Sequence, residues 1–206
     1  MIVALLGLPG VGKSTLAYAL GEVMEATVLA EPEESSWPGF VKRPHEHGDF
    51  TRLSWFRSQR APLYYTADGV RRDGGVAVLD SYYDKWCIGW LGKPGLEWLI
   101  SPDDPYFEVA RNMAELDAEL LPRADVVVVL EIDEQQWLEQ VGGRGRTIDR
   151  HDPFLKSHST QELFVATALE RAPVDGTRVV RHRRERMDPL QEAGQVAEKI
   201  RQLGVT

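Results

Sequence analysis

The chain is poor in the features that mark several large protein classes. It has one cysteine, Cys87, so no intrachain disulfide forms and a reducing, cytoplasmic setting is expected. No apolar run approaches the roughly 18 residues of a membrane span; the longest, Val126–Leu130 with its flanks, is strand-sized. The apolar start, MIVALLGLPG, lacks a basic n-region and runs straight into a motif, so it does not read as a signal peptide. Positive charge is the minority. With 24 Lys+Arg against 32 Asp+Glu the net charge is −8, which argues against a surface that tracks a nucleic-acid polymer. Internal repeats, heptads and low-complexity stretches are also lacking. What remains is an ordinary globular composition, in a length of 206 residues that suits one domain.

Strand-like and helix-like segments alternate along the chain. The continuous apolar run Ile2–Leu6 suits a strand buried on both faces, and Thr27–Ala30, Val76–Leu79, Val126–Ile132 and Thr177–Val180 read as further short strands. Helical spacing appears over Ser14–Met24, Leu53–Arg72, Tyr106–Leu121, Glu134–Val141, Gln161–Arg171 and Gln191–Leu203. Pro62 is expected to break or kink the second of these. Residues 33–50 read as an irregular loop, and 84–105 as helix, turn and more helix. Five strands separated by helices predict an α/β fold, a doubly wound five-stranded parallel sheet with helices on both faces, spanning 1–206 as a single domain.

Gly7-Leu8-Pro9-Gly10-Val11-Gly12-Lys13-Ser14 matches G-x-x-x-x-G-K-[ST] completely, with a strand before it and a helix after it. Glycines let backbone N–H groups close around phosphate oxygens, and the helix N-terminus adds partial positive charge. Gly7, Gly10, Val11, Gly12, Lys13, Ser14 and Thr15 are therefore expected to hold ATP. Lys13 would reach the β/γ-phosphates and Ser14 would ligate Mg²⁺.

Three further features bear on what receives the phosphoryl group. Asp80 ends the third strand, at the sheet edge where such folds bind ligands, and is a second candidate for Mg²⁺. Arg144, Arg146 and Arg150 fall within seven residues, in a segment (about 142–158) that reads as a lid over the transferring group. Glu31, after the second strand, can accept the proton of an attacking hydroxyl or anchor a sugar.

The residues from Phe56 to Asp80 resemble the thymidylate kinase family and its relatives, the deoxynucleoside kinases. Phe56 and Arg60 fit F-x-x-x-R, followed by a glycine turn, a strand and Asp80. Leu121–Asp133, the 144–150 segment and Asp188-Pro189-Leu190 resemble later parts of the same family. The resemblance implies that Phe56 stacks on a base and Arg60 contacts its edge. Glu31-Pro32, with Trp37 shortly after, resembles the deoxynucleoside kinase pattern, where the glutamate activates a sugar hydroxyl. Pro9, Ala30 and Ser81 stand where thymidylate kinases carry Asp, Arg and Arg, all bearing on the acceptor's sugar or monophosphate. Lys85 or Arg57 is expected to supply the missing charge. A phosphate acceptor needs cations, whereas a hydroxyl acceptor benefits from a carboxylate. Keeping Glu31 while losing two arginines tilts the expectation toward a hydroxyl.

The acceptor pocket is therefore expected to hold Glu31, Trp37, Phe56, Arg60, Asp80 and Tyr82, with Trp55 beside it; Tyr83, the next residue, is the alternative to Tyr82. Trp86, Trp90 and Trp98 are expected in the core or an interface, and His45-Glu46-His47 reads as a polar loop. The basic run Arg181–Arg186 is either a solvated turn or a surface for adenine. The leading expectation is an ATP-dependent kinase of a nucleoside or nucleoside monophosphate, a small-molecule acceptor. A kinase of a non-nucleotide hydroxyl compound and a nucleotide-dependent switch are the alternatives. No membrane or nucleic-acid partner is expected, and a homodimer is left open.

Overall fold

The computed structural model describes residues 1–144 and 156–204. Five strands form one sheet in the order β2-β3-β1-β4-β5, with every neighbouring pair parallel: β1 Ile2–Leu6, β2 Thr27–Leu29, β3 Ala77–Leu79, β4 Val126–Glu131 and β5 Arg178–Arg183. The register sets Val3 of β1 beside Val78 on one side and Val126 on the other. Every residue of β1 and of Val126–Leu130 is buried, because helices cover both faces of a parallel sheet.

The helices are α1 Lys13–Met24, the short α2 Gly39–Lys42 and α3 Pro44–His47, α4 Asp49–Arg72, the short α5 Tyr83–Trp86, α6 Phe107–Leu120 and α7 Glu134–Arg144. Two more follow, Gln161–Asp175 and the C-terminal Pro189–Gln202, which packs along α1. The chain leaves β1 toward β2 on one side and leaves β3 toward β4 on the other. The connections that leave these two adjacent strands run in opposite directions across the sheet, which marks the carboxyl ends of β1 and β3 as the place for a ligand crevice.

Four expectations need correction. The segment 33–50 is not a plain loop, since it contains a 3₁₀ turn at Glu34–Ser36 together with α2 and α3. α4 begins at Asp49 and runs unbroken through Pro62, anchored by its buried Leu53, Arg60, Ala61, Tyr64 and Ala67. Tertiary burial on both sides of the proline outweighs the lost backbone hydrogen bond. Residues 84–105 hold only α5, a 3₁₀ turn at Cys87–Gly89 and irregular turns. β5 extends to Arg183, because Arg181–Arg183 pair with Val129–Glu131 of β4. As an edge strand it alternates, with Val180 and His182 inward and Arg181 and Arg183 outward.

Candidate active site

A cavity of about 1300 Å³ opens over the carboxyl ends of β1 and β3. Gly10, Gly12, Lys13, Ser14 and Thr15 line one end of it. Gly12 precedes α1 with φ 90°, a left-handed conformation that strains any residue with a side chain. A Cβ there would also lie 1.7 Å from an Arg184 guanidinium nitrogen, so Arg184 would have to give way. Carbonyls of the loop are taken up by side chains. Lys13 Nζ donates to the carbonyls of Gly7 and Leu8, both at 3.1 Å, and to the Tyr83 hydroxyl at 3.0 Å. Tyr83 donates in turn to the Gly7 carbonyl, Trp137 Nε1 to the Pro9 carbonyl at 2.9 Å, and Arg184 to the Val11 carbonyl. The first N–H groups of α1 have no intrahelical acceptor and are available to an anion. Gly7 and Val11 shape the loop without lining the cavity; the Val11 side chain is fully buried in the core.

Asp80 sits against the loop. Ser14 Oγ donates to its Oδ2 at 3.0 Å, and the Glu31 amide donates to its Oδ1 at 3.1 Å. Burial, and then the charge of Glu31, push the Asp80 carboxyl above the usual range; the two hydrogen bonds and Lys13 oppose that shift. A buried carboxylate beside a hydroxyl at a helix N-terminus suits a hard divalent cation whose remaining ligands are phosphate oxygens and water. Among the described residues no cluster of three or more His, Cys, Asp or Glu would hold a metal unaided. The residues present thus fit Mg²⁺ bound together with a nucleotide.

At the other end, Arg60 on α4 meets Asp84 and Glu31. Its Nε and Nη2 donate to the two oxygens of Asp84 at 2.6 and 3.0 Å, and its Nη1 to Glu31 Oε1 at 3.2 Å. Burial alone would favour neutral Arg60, but the charges of Asp84 and Glu31 outweigh it and hold the guanidinium ionised. Trp37 and Phe56 line this end and meet edge to face, with ring centroids 4.9 Å apart; Trp37 Nε1 donates to the Pro32 carbonyl at 2.8 Å. Trp55 packs against both rings from outside the cavity lining.

The expected residues Lys13, Ser14, Glu31, Trp37, Phe56, Arg60 and Asp80 therefore share one cavity. Tyr82 does not. It is fully buried in the core, where its hydroxyl accepts from the Ala124 amide at 2.8 Å, and Tyr83 takes the place on the cavity wall. The strand ends before these residues, so alternation along β3 no longer decides which tyrosine faces the crevice. Trp86 and Trp90 are core, as expected; Trp86 donates to Asp175 at 2.6 Å, Trp90 also borders the cavity, and Trp98, partly buried against the core, lines the cavity too. Neither candidate for the missing charge reaches the site: Arg57 is paired with Asp117, both bonds 2.6 Å, and Lys85 donates to the Ala118 carbonyl at 2.6 Å. Arg146 and Arg150, and with them most of the expected lid, lie outside the described residues, as does the side chain of Arg144.

Sequence reasoning missed Arg52 and Trp137, held Tyr83 only as the alternative to Tyr82, and gave Arg184 no role beyond its basic run. Arg184 stood in a basic run, but its partner Glu192 lies on the next helix, at 2.8 and 2.6 Å, and no local pattern joins the two.

No family model matches the chain. It is 26% identical over 178 residues to a thymidylate kinase of Xylella fastidiosa (strain M12), covering 82% of this chain and 76% of that protein. A probable thymidylate kinase of Archaeoglobus fulgidus is 23% identical over 158 residues, 71% of each chain. In fold, the chain is similar to the deoxyadenosine kinase of M. mycoides with bound dATP (TM-score 0.71, 14% identity, 98% of this chain and 99% of that one). It is similar also to the thymidylate kinase of Candida albicans (TM-score 0.59, 17% identity, 98% and 92%). The chain is thus similar in sequence to thymidylate kinases and shares its fold with solved thymidylate and deoxyadenosine kinases.

Proposed function

We propose that the chain is an ATP-dependent kinase that transfers the γ-phosphoryl group to a hydroxyl of a nucleoside. Lys13 and the loop amides hold the β- and γ-phosphates, and Ser14 with Asp80 holds Mg²⁺. Held there, Mg²⁺ would supply positive charge to the phosphate oxygens. Glu31 takes the proton of the acceptor hydroxyl as its oxygen forms the new bond to phosphorus and the bond to the ADP oxygen breaks. Arg60 orients Glu31 through one carboxylate oxygen; the other has no hydrogen-bond partner among the described residues. Trp37 and Phe56 offer faces and edges for a ring. Arg144, Arg146 and Arg150 are assigned to the lid that closes on the transferring group.

One observation carries the choice of a hydroxyl over a phosphate: the cations lining the acceptor end are already paired. Arg60 is bonded to Asp84 and Glu31, and Arg52 to Asp49 at 3.0 Å and to the Trp98 carbonyl. Glu33, Glu34, Glu97 and Asp104 add negative charge to the same wall. A phosphate dianion brought there would lose its hydration without gaining an unpaired cation among the described residues. That acidic wall also favours a second reading, a non-nucleotide hydroxyl compound handled by the same catalytic groups.

The test is ADP release with nucleosides, nucleoside monophosphates and unrelated alcohols as acceptors. Turnover stimulated by a nucleoside is expected. Stimulation only by another alcohol transfers the assignment to the second reading, and slow hydrolysis indifferent to every acceptor would make the chain a nucleotide switch.

A further inference from the structure

Two side chains outside the cavity hold the phosphate-binding loop in shape. Trp137, fully buried on α7, donates Nε1 to the Pro9 carbonyl at 2.9 Å. Arg184, just past β5, donates Nη1 to the Val11 carbonyl and packs against the Cα of Gly12. Neither residue lines the cavity. They approach the loop from different elements and grip carbonyls two residues apart.

Arg184 is itself fixed from two sides. Its backbone amide donates to the Glu131 carbonyl at 2.8 Å, which ties it to the end of β4. Its Nε and Nη2 donate to the two oxygens of Glu192, at 2.8 and 2.6 Å. Glu192 lies in the first turn of the C-terminal helix and is wholly inaccessible to solvent. His182 adds a contact to the same carboxylate at 3.2 Å. The fork of a guanidinium bound to a carboxylate is planar and rigid, so Nη1 is aimed at Val11 rather than free to wander.

We infer that Trp137 and Arg184 are positioning residues for triphosphate binding: by holding the Pro9 and Val11 carbonyls outward they keep the loop's N–H groups facing the phosphates before ATP arrives. Donors preset for a charge need no reorganisation when the ligand binds. Without the clamps the loop populates its binding-competent shape for only part of the time, and apparent affinity falls by that fraction. The Arg184–Glu192 pair also makes the C-terminal helix part of the nucleotide site.

This inference rests on reading the loop as an ATP site. The experiment is calorimetric titration of the full chain with AMP-PNP and Mg²⁺, for wild type, Arg184→Gln and Trp137→Phe, alongside melting temperatures and the acceptor KM. Each variant is expected to bind AMP-PNP about tenfold more weakly, with the acceptor KM within about twofold of wild type. Should Arg184→Gln fail to fold because Glu192 loses its buried partner, Arg184→Gln combined with Glu192→Gln removes both charges and gives the same measurement. Lowered melting temperatures with AMP-PNP affinity unchanged would make these residues structural and overturn the inference. Failure of the wild type to bind AMP-PNP would instead overturn the ATP-site reading itself.

Discussion

Arg60 donates to both carboxylate oxygens of Asp84, at 2.6 and 3.0 Å, from a position with only 8% of its side chain exposed. Tyr64 donates to the same carboxylate at 3.4 Å. The residue that resemblance gives to the acceptor's base edge is thus already committed to the protein, and its third contact aims Glu31. Replacing Asp84 by Ala would strand a buried guanidinium. A loss of about 3–5 kcal/mol in unfolding free energy is expected, measured by denaturant titration. Asp84→Asn, which keeps the volume and one acceptor oxygen, is expected to cost less.

Glu31→Gln keeps the size of the side chain and an oxygen for Arg60, but removes the proton acceptor. Turnover is expected to fall by about 10²–10⁴-fold with ATP KM changed by no more than a few-fold. Steady-state kinetics with the acceptor saturated check this; unchanged turnover would remove the general-base role.

Glu192 should mark the acid limit of stability. Burial favours its neutral form, but hydrogen bonds from His182 and Arg184, reinforced by their charge, win and hold the carboxyl below the usual glutamate range. A group whose folded pKa is depressed stabilises the fold above its unfolded pKa, and that stability is lost as pH falls through the folded value. The wild type should therefore lose stability below about pH 4, with a shallower acid dependence in Glu192→Gln. Melting temperatures between pH 3 and 7 supply the comparison, and parallel curves for the two proteins would be contrary to this account.

Cys87 lines the cavity, yet burial, with Asp84 nearby, pushes its thiol up to about 12. The thiolate is the reactive form, so the folded protein is expected to react with a disulfide reagent at pH 7 far more slowly than the denatured chain. The rate of mixed-disulfide formation, native against denatured, checks this.

The sheet and the loop were legible because their signals are local. β1 and β4 are continuous apolar runs, and the Gly7–Ser14 spacing encodes its own chemistry. Glu31 and Asp80 were legible because strand ends of a parallel sheet converge on one edge. The acceptor end was less so. Trp98 and Arg52 reach it from an irregular segment and from a helix start, and Tyr83 replaces Tyr82 because the strand period has already ended. The clamps on the loop are hidden for a plainer reason. Trp137 lies 128 residues from Pro9 and Arg184 lies 173 from Val11, and a hydrogen bond to a backbone carbonyl leaves no pattern in the sequence. The helix through Pro62 escaped because buried neighbours, not propensity, decide it.

The central claim is that the acceptor offers a hydroxyl rather than a phosphate. A direct measurement offers the enzyme ATP and an equimolar mixture of a deoxynucleoside and its monophosphate, then separates the products by charge. The account predicts new monophosphate formed from the nucleoside in step with ADP, with no nucleoside diphosphate. Nucleoside diphosphate as the main product would contradict it and return the site to a phosphate acceptor.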